Sequence, residues 1–543
     1  MPWQQNYDPL HGALSTIAAA VPLVVLLGLL ALKRVPAYIA AISGLAVALA
    51  VAILVVGMPA PMAGRAATLG VAYGLLPIGW IVLNVMFLYT LTSQKGVFIA
   101  LQRAITSITS DRRLQLLLIA FSFGAFFEGA AGFGTPVAVT GAILIGLGFP
   151  PFEASTLSLI ANTAPVAFGA LGTPVIALQG VTGIDLRTLS AMIGRQLPFF
   201  SLIVPFWLMA AYSGIKGVKE LWPALLVAGV SFAVPQFLVS NFHGPWLVDI
   251  IAAASSMVSL ALFLKWRSLR TVGSTQPSAA LSTETLSAPA VPLSVAIVPW
   301  IILTVIVFAW GTPQVKTFLN GISAPSIPMP GLDKMVLRMA PVVAKPTAEP
   351  AVFLFNWLSA SGTAILITAI ISGVMLGYSV GDLVRNYLRT LKMVWRSLVT
   401  IAAMLGIGYT TRYSGEDAIL GLAFAHTGVA YPFFAAMLGW MGVALTGSDT
   451  SSNVLFGSLQ KITAGSLGLN PTLMAAANSS GGVMGKMIDA QSICVASTAT
   501  GYVGHEWRIL RFVFLHSVAL AALVGVLTLL QQYVYPFTLM LIK

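Results

Sequence analysis

Four stretches of this sequence carry polar groups where only apolar residues would be expected. FFEGAAGFGTPVAV runs from Phe126 to Val139, and SLIANTAPVAFGALGTPVIAL from Ser158 to Leu178. ALTGSDTSSNVLFG runs from Ala444 to Gly457, and AAANSSGGVMGKMIDAQSICVAS from Ala475 to Ser497. Ser448, Thr450, Ser451, Ser452 and Asn453 can donate hydrogen bonds to a carboxylate or a hydroxyl. Their plainer role is to glue helices together in lipid. Glu128 is an acid between apolar runs, which reads as functional by default. It suits a proton carrier, or a structural acid that caps a hairpin helix. Asp449 can take up a proton or cap backbone N–H groups. Lys486 can hold an anion, or pair with Asp489 three residues on along one helix face. Gly129, Gly132 and Gly134, with Thr135 next in line, permit tight turns and close backbone approach. Asn162 with Thr163, and Asn478 with Ser479 and Ser480, read as a second pair of tips, with Pro165 and Pro174 helping to break the first helix. His426 and Arg412 are further candidates, the first as a proton site or a packed histidine, the second as a ligand or a snorkelling side chain.

These groups must be positioned by a very apolar chain. Of 543 residues 58% are hydrophobic and 8% are charged, and mean hydropathy is +0.92. The charged share is about a third of that in soluble domains, so the chain is an all-α polytopic membrane protein. The net charge of +12 does not indicate a nucleic-acid partner. Its Lys and Arg residues sit in short segments between apolar runs, as the positive-inside rule describes. Examples are Lys33-Arg34, Lys95 to Arg113, Lys265 to Arg270, and Arg385, Arg389, Lys392 and Arg396. The single cysteine, Cys494, rules out an intrachain disulfide and reads as a packing residue. MPWQQNYDPLHG lacks the features of a signal peptide. Trp222, Trp246 and Tyr535 near run ends read as interfacial belts, and Glu153, Asp185 and Arg187 as solvated loop charges.

Apolar runs are expected near 14–32, 36–57, 69–92, 114–148, 155–180, 196–213, 221–240 and 246–264, then near 293–311, 351–379, 398–414, 418–445, 454–468, 471–500 and 510–535. Basic loops place the N-terminus and the connection 311–350 outside. Three parts follow: a first membrane half 1–270 with a hairpin near 114–148, a flexible cytoplasmic linker 271–292, and a second half 293–543 with a hairpin near 440–468. The polar anomalies repeat between the halves. Gly129 falls on Gly447 at an offset of 318, and Asn162 on Asn478 at 316. Paired interruptions at matching positions are the best sequence pointer to a transporter's binding site, since bare backbone is tolerated in a membrane only inside protein or beside a wet cavity. Helix N-termini at such interruptions favour anions. GxxxxGK[ST] does not occur, so energy would come from an ion gradient. A membrane-embedded hydrolase is disfavoured, because His505-Glu506 lacks the second histidine of HExxH and no Gly-x-Gly-Asp accompanies Asp449. A passive channel is the remaining competitor, separable by whether flux runs uphill.

EGAAGFGTPVA, TGSDTSSN, NSSGGVMGKM and the opening WQQNYDP resemble the lactate permease family of bacterial plasma-membrane carriers, and AHTG at 425–428 fits as well. The resemblance covers essentially the whole chain. It implies proton-coupled uptake of L-lactate, with D-lactate and glycolate as related substrates, and no cofactor or metal. It also implies a multi-pass protein of the bacterial inner membrane in contact with lipid. Two inverted repeats with paired hairpins, a scaffold and a moving transport domain, and a homodimer are implied too. Asp489 is a departure: the family usually carries a small polar residue there, so this chain adds an ionisable group near the site and a further candidate for proton coupling. A sodium-coupled carrier of another organic anion has the same architecture and stays open, because Ser, Thr, Asn and carbonyl groups suit Na⁺ as well.

Overall fold

The computed structural model describes residues 2–31, 35–130, 132, 135–270, 291–343 and 345–542. Residues 271–290 of the expected linker 271–292 and the pair Lys33-Arg34 lie outside the described residues. Among those described, eight helices are long and apolar enough to cross a membrane, or nine if the pair Pro151–Ala161 and Val166–Thr182, bent by 65°, counts as one span.

Several expected runs resolve differently. Leu197–Phe242 is one element of 46 residues, kinked where Gly214 turns to φ 66. The basic cluster 385–396 is not a loop. It lies on the first half of a 35-residue helix, Val380–Ser414, started by a Ser379/Asp382 capping box and ended by left-handed Gly415. At 1.5 Å per residue that helix spans about 52 Å, against roughly 30 Å of hydrocarbon, so its charged end projects beyond the lipid. The run 351–379 opens with a strand rather than a helix. Val352–Leu354 pairs antiparallel with Ser326–Pro328, and the helix starts only at Ser361. Trp3–Gln4 pairs in parallel with Val336–Arg338, which also holds Thr347–Ala348. The N-terminus and the connection 311–350 therefore share one face, as expected of two outer segments. Gln5 strengthens that tie by donating to the carbonyls of Arg412 and Tyr413 at 2.9 Å each.

Three smaller readings change. Cys494 is exposed, not packed. Trp246 is buried, whereas Trp222 and Tyr535 are exposed. Asp185 is a helix cap, accepting the Thr188 N–H at 3.0 Å.

The other short runs are half-length helices. Thr135–Gly146, Pro151–Ala161, Pro471–Gly485 and Ala490–Ala499 have 12, 11, 15 and 10 residues, below the ~20 needed to cross. Each half thus runs in the same order, a helical hairpin followed by a broken pair.

Candidate functional site

The first hairpin joins Gly124–Ala130 to Thr135–Gly146. In its turn Gly132 adopts φ 61, a conformation that glycine reaches without penalty. The second hairpin joins Tyr431–Thr446 to Asp449–Leu467 through two residues. Gly447 closes the first arm in the left-handed region, and the Ser448 hydroxyl caps the second by accepting the Ser451 N–H at 3.2 Å. TGSD is therefore a stop signal followed at once by a start signal.

The first broken pair bends after Pro151–Ala161. Ala170, Leu171 and Gly172 then run through left-handed φ of 44, 55 and 80 before the helix resumes at Thr173. A side chain at Gly172 would meet Pro245 at 2.6 Å, so only glycine fits. The second broken pair ends its first part at Gly485 and restarts at Ala490, where Asp489 caps by accepting the Ser492 N–H at 2.7 Å.

All four interruptions wall one cavity of about 70 Å³. Glu128 and Gly132 come from the first hairpin, and Gly447, Ser448, Asp449 and Thr450 from the second. Gly169, Ala170, Thr173 and Pro174 come from the first break, and Lys486 and Gln491 from the second. With liquid water at ~30 Å³ per molecule, the space suits something the size of a few waters. Lys486 is the one Lys or Arg in this wall, and it is 5% exposed. Its Nζ donates to the Gly447 carbonyl at 2.5 Å and lies 3.4 Å from Asp489 Oδ2. Glu128 lies so close to Gly169 that a Cβ there would sit 2.6 Å from Oε1.

Asp449 accepts from Ser479 at 2.6 Å and Asn453 at 3.3 Å, leaving Oδ1 without a partner. Asn453 and Asn478 belong to a buried ladder behind the wall. Asn478 donates to Asn453 at 3.0 Å, Gln460 to Asn478 at 3.1 Å, and Tyr431 to Gln460 at 2.6 Å. Ser452 donates to the Gly439 carbonyl and Thr163 to the Ile160 carbonyl. Asn162 caps the first part of its helix, and Ser480 is buried without a partner. Gly134 lies outside the described residues, as does the Thr135 side chain.

Asn478–Ser480 do not form a tip. They lie inside Pro471–Gly485, eight or more residues into it, and the break follows at Lys486. The glycines after them serve close packing instead. A Cβ at Gly481 would come 2.1 Å from the Ala436 carbonyl oxygen, and one at Gly439 would come 1.8 Å from that of Asn478. His426 stands on an exposed turn, Ala425–Ala430, and is not in the wall. Arg412 does not snorkel. Its guanidinium pairs with Glu349 at 2.6 Å and reaches the Gly180 and Val181 carbonyls at 3.4 Å each.

Arg412 helps to wall a second cavity of about 610 Å³, a vestibule on the face that carries the N-terminus. Tyr73, Asp185, Arg187, Trp246, Lys316 and Tyr409 share that wall, so Asp185 and Arg187 are more than loop charges. Sequence reasoning missed Thr173, Gly169, Gln491 and the vestibule. One signal was available: Gly-Thr-Pro-Val occurs at both 134–137 and 172–175. A glycine, a threonine and a proline in the first turn mark a helix restart each time.

Among the described residues, eight or nine helices long and apolar enough to cross a membrane, with a cavity walled by four interruptions, define a multi-pass membrane transporter. The family model described as L-lactate permease matches residues 15–535, and the chain belongs to that family. It is 48% identical to a glycolate permease of Escherichia coli K12 over 98% of both chains. It is 45% identical to an L-lactate permease of Bacillus subtilis, over 98% of this chain and 99% of that one. An L-lactate permease of E. coli K12 is 46% identical over 98% of both. Its relatives are permeases rather than enzymes, and the chain is a plasma-membrane protein of the same kind.

Proposed function

We propose that this chain is a secondary active carrier that takes up L-lactate, and the related D-lactate and glycolate, together with a proton. The observation that carries this reading is the meeting of four interruptions around one buried lysine. A short carboxylate fits the charge of Lys486, which already reaches the second hairpin tip. The start of Asp449–Leu467 adds free N–H groups and the positive end of a helix. Asp449 Oδ1 has no partner but faces Gly482, so a 2-hydroxyl is met by the hydroxyls of Ser448 and Thr450 in the wall. Glu128 Oε2 also lacks a partner and is the candidate proton acceptor. One anion moving with one proton is electroneutral. Ser448, Thr450, Asn162 and the residues of the ladder then orient the tips, and alternating access is movement of the tips against one another. The inverted relation of the halves, their division into scaffold and transport domains, and a homodimer belong to the same proposal.

The test is uptake of labelled L-lactate into proteoliposomes under an inward proton gradient without sodium. Accumulation above equilibrium is expected, with Glu128→Gln lowering it at least tenfold. A strict need for sodium would replace the proton by Na⁺. No uptake under either gradient would sink the substrate assignment.

The vestibule adds a pH effect. Burial, with Arg187 nearby, pulls the Lys316 ammonium down to about 8, so its charge fades above that pH, where an ordinary lysine keeps it. Losing one positive charge weakens attraction of an anion to the vestibule. KM for lactate counterflow in right-side-out vesicles is expected to rise about two- to threefold between pH 7 and pH 9 at low salt. Lys316→Gln should hold the higher value at both pH values. A parent KM that ignores pH would remove Lys316 from the account.

A further inference from the structure

Asp249 stands in GPWLVDI, three residues after Trp246, in the first turn of Val248–Arg270. It is 1% exposed. Asp111, Asp185 and Asp489 each stand just before a helix and cap it, which uses their carboxylates, whereas Asp249 stands one residue inside its helix. Neither of its carboxylate oxygens has a hydrogen-bond partner. Its backbone is pressed against the first hairpin. A Cβ at Gly129 would lie 2.7 Å from the Asp249 Cβ and 3.2 Å from the Ile250 nitrogen. The residue before Gly129 is Glu128, whose Oε2 is also unpartnered. Asn162 lies beside Glu128, within reach of its carboxyl group. Two buried carboxyl groups on packed elements thus keep oxygens without a hydrogen bond, which is costly unless a ligand uses them.

Among the described residues, Glu128 is the one charged group that acts on Asp249 from the elements packed around it. Glu128 in turn feels Lys486 and Asp489. Two neighbouring carboxylates without a cation between them cannot both stay charged in a buried site. The pair also lies next to the vestibule, because Trp246, three residues before Asp249, lines that cavity, with Lys316 Nζ 4.1 Å from its ring centre.

We propose that Asp249 and Glu128 form a proton-binding site that connects the outer vestibule to the cavity. This rests on the proton-symport reading above. A proton entering past Trp246 converts one carboxylate of the pair to its neutral acid. It is carried there while the anion sits at Lys486, and the carboxylate returns when the proton leaves on the other side.

The test compares parent protein, Asp249→Asn and Asp249→Glu in proteoliposomes, each shown monodisperse by size exclusion. Three quantities are read: accumulation under a proton gradient, acidification of the lumen on lactate entry, and the pH profile of counterflow. Asp249→Asn is expected to lose accumulation and acidification at least tenfold and to flatten the pH profile of the counterflow rate below pH 7, with counterflow itself reduced far less and the Lys316-dependent rise in KM above pH 7 retained. Asp249→Glu should restore part of the accumulation. Equal loss of counterflow and accumulation in monodisperse Asp249→Asn would overturn the proposal in favour of a structural role. Full accumulation by that variant would overturn it outright. A parent that accumulates nothing under a proton gradient would overturn the symport reading itself, and this is seen before any variant is compared.

Discussion

Lys486→Met is expected to lower lactate uptake about 100-fold, the effect of removing a charged hydrogen bond worth roughly 1.5–3 kcal/mol. Methionine keeps the length of the side chain and its apolar stem. It removes the one cation in the cavity wall and the contact with the Gly447 carbonyl. It also strands Asp489, which would then keep only its cap on Ser492. Breaking a buried pair from one side costs about 3–5 kcal/mol, so a fall in activity alone would not separate binding from folding. The double variant Lys486→Met with Asp489→Ser does separate them. It removes the stranded charge and should recover thermal stability, while uptake stays as low as in the single variant. If the double variant regains uptake, Lys486 serves only to neutralise Asp489 and does not hold the substrate.

The second large effect concerns packing. Gly439→Val is expected to destabilise the protein by at least ~3 kcal/mol, the upper end of the range for overpacking, because the new Cβ must displace backbone rather than a flexible side chain. Gly439 faces the Asn478 carbonyl, and Gly481 and Gly485 face the carbonyls of Ala436 and Trp440 along the same seam. The seam fixes the first arm of the second hairpin against Pro471–Gly485, and so fixes Gly447 against Lys486. Thermal unfolding in detergent should show a lowered midpoint for Gly439→Val and for Gly481→Val. The double variant should fall short of the sum, since one separation of the helices relieves both clashes. Gly465→Ala is the control, as nothing lies within 4 Å of a Cβ there. An unchanged midpoint for Gly439→Val would mean that the two helices are not held this closely.

Polar residues amid apolar runs were enough to find four interruptions, because lipid leaves few reasons for Ser, Asn, Asp and Lys at such depth. TGSD even showed where the second hairpin turns. NSSGG was misread as a break because glycine permits a turn and also permits contact, and the two look alike in one chain. Only Gly439 and Ala436 on the neighbouring helix decide between them. The left-handed Ala170 and Leu171 had no signal at all, since neither residue type favours that backbone. Asp249 carries no signal in the sequence beyond being an acid within an apolar run, and what distinguishes it is a buried carboxylate with neither oxygen hydrogen-bonded. The helix across 385–396 was hidden by its own charge, because an apolar run marks only the part of a helix that meets lipid.

The nearness of the two cavities has an electrical consequence. Thr173 borders the small cavity and Ile176 the vestibule, so about one helical turn, ~5 Å, separates them along one helix. A vestibule continuous with the outer solution carries the outer potential almost to the carboxyl pair. Membrane voltage acts on a charge only over the distance where potential falls, at ~2.3 kcal/mol per charge per 100 mV for a full crossing. Loading a proton from outside therefore crosses a small fraction of that drop. Because the anion and the proton leave together, voltage does no net work over the cycle, and the single steps it can speed or slow are those on the inward side.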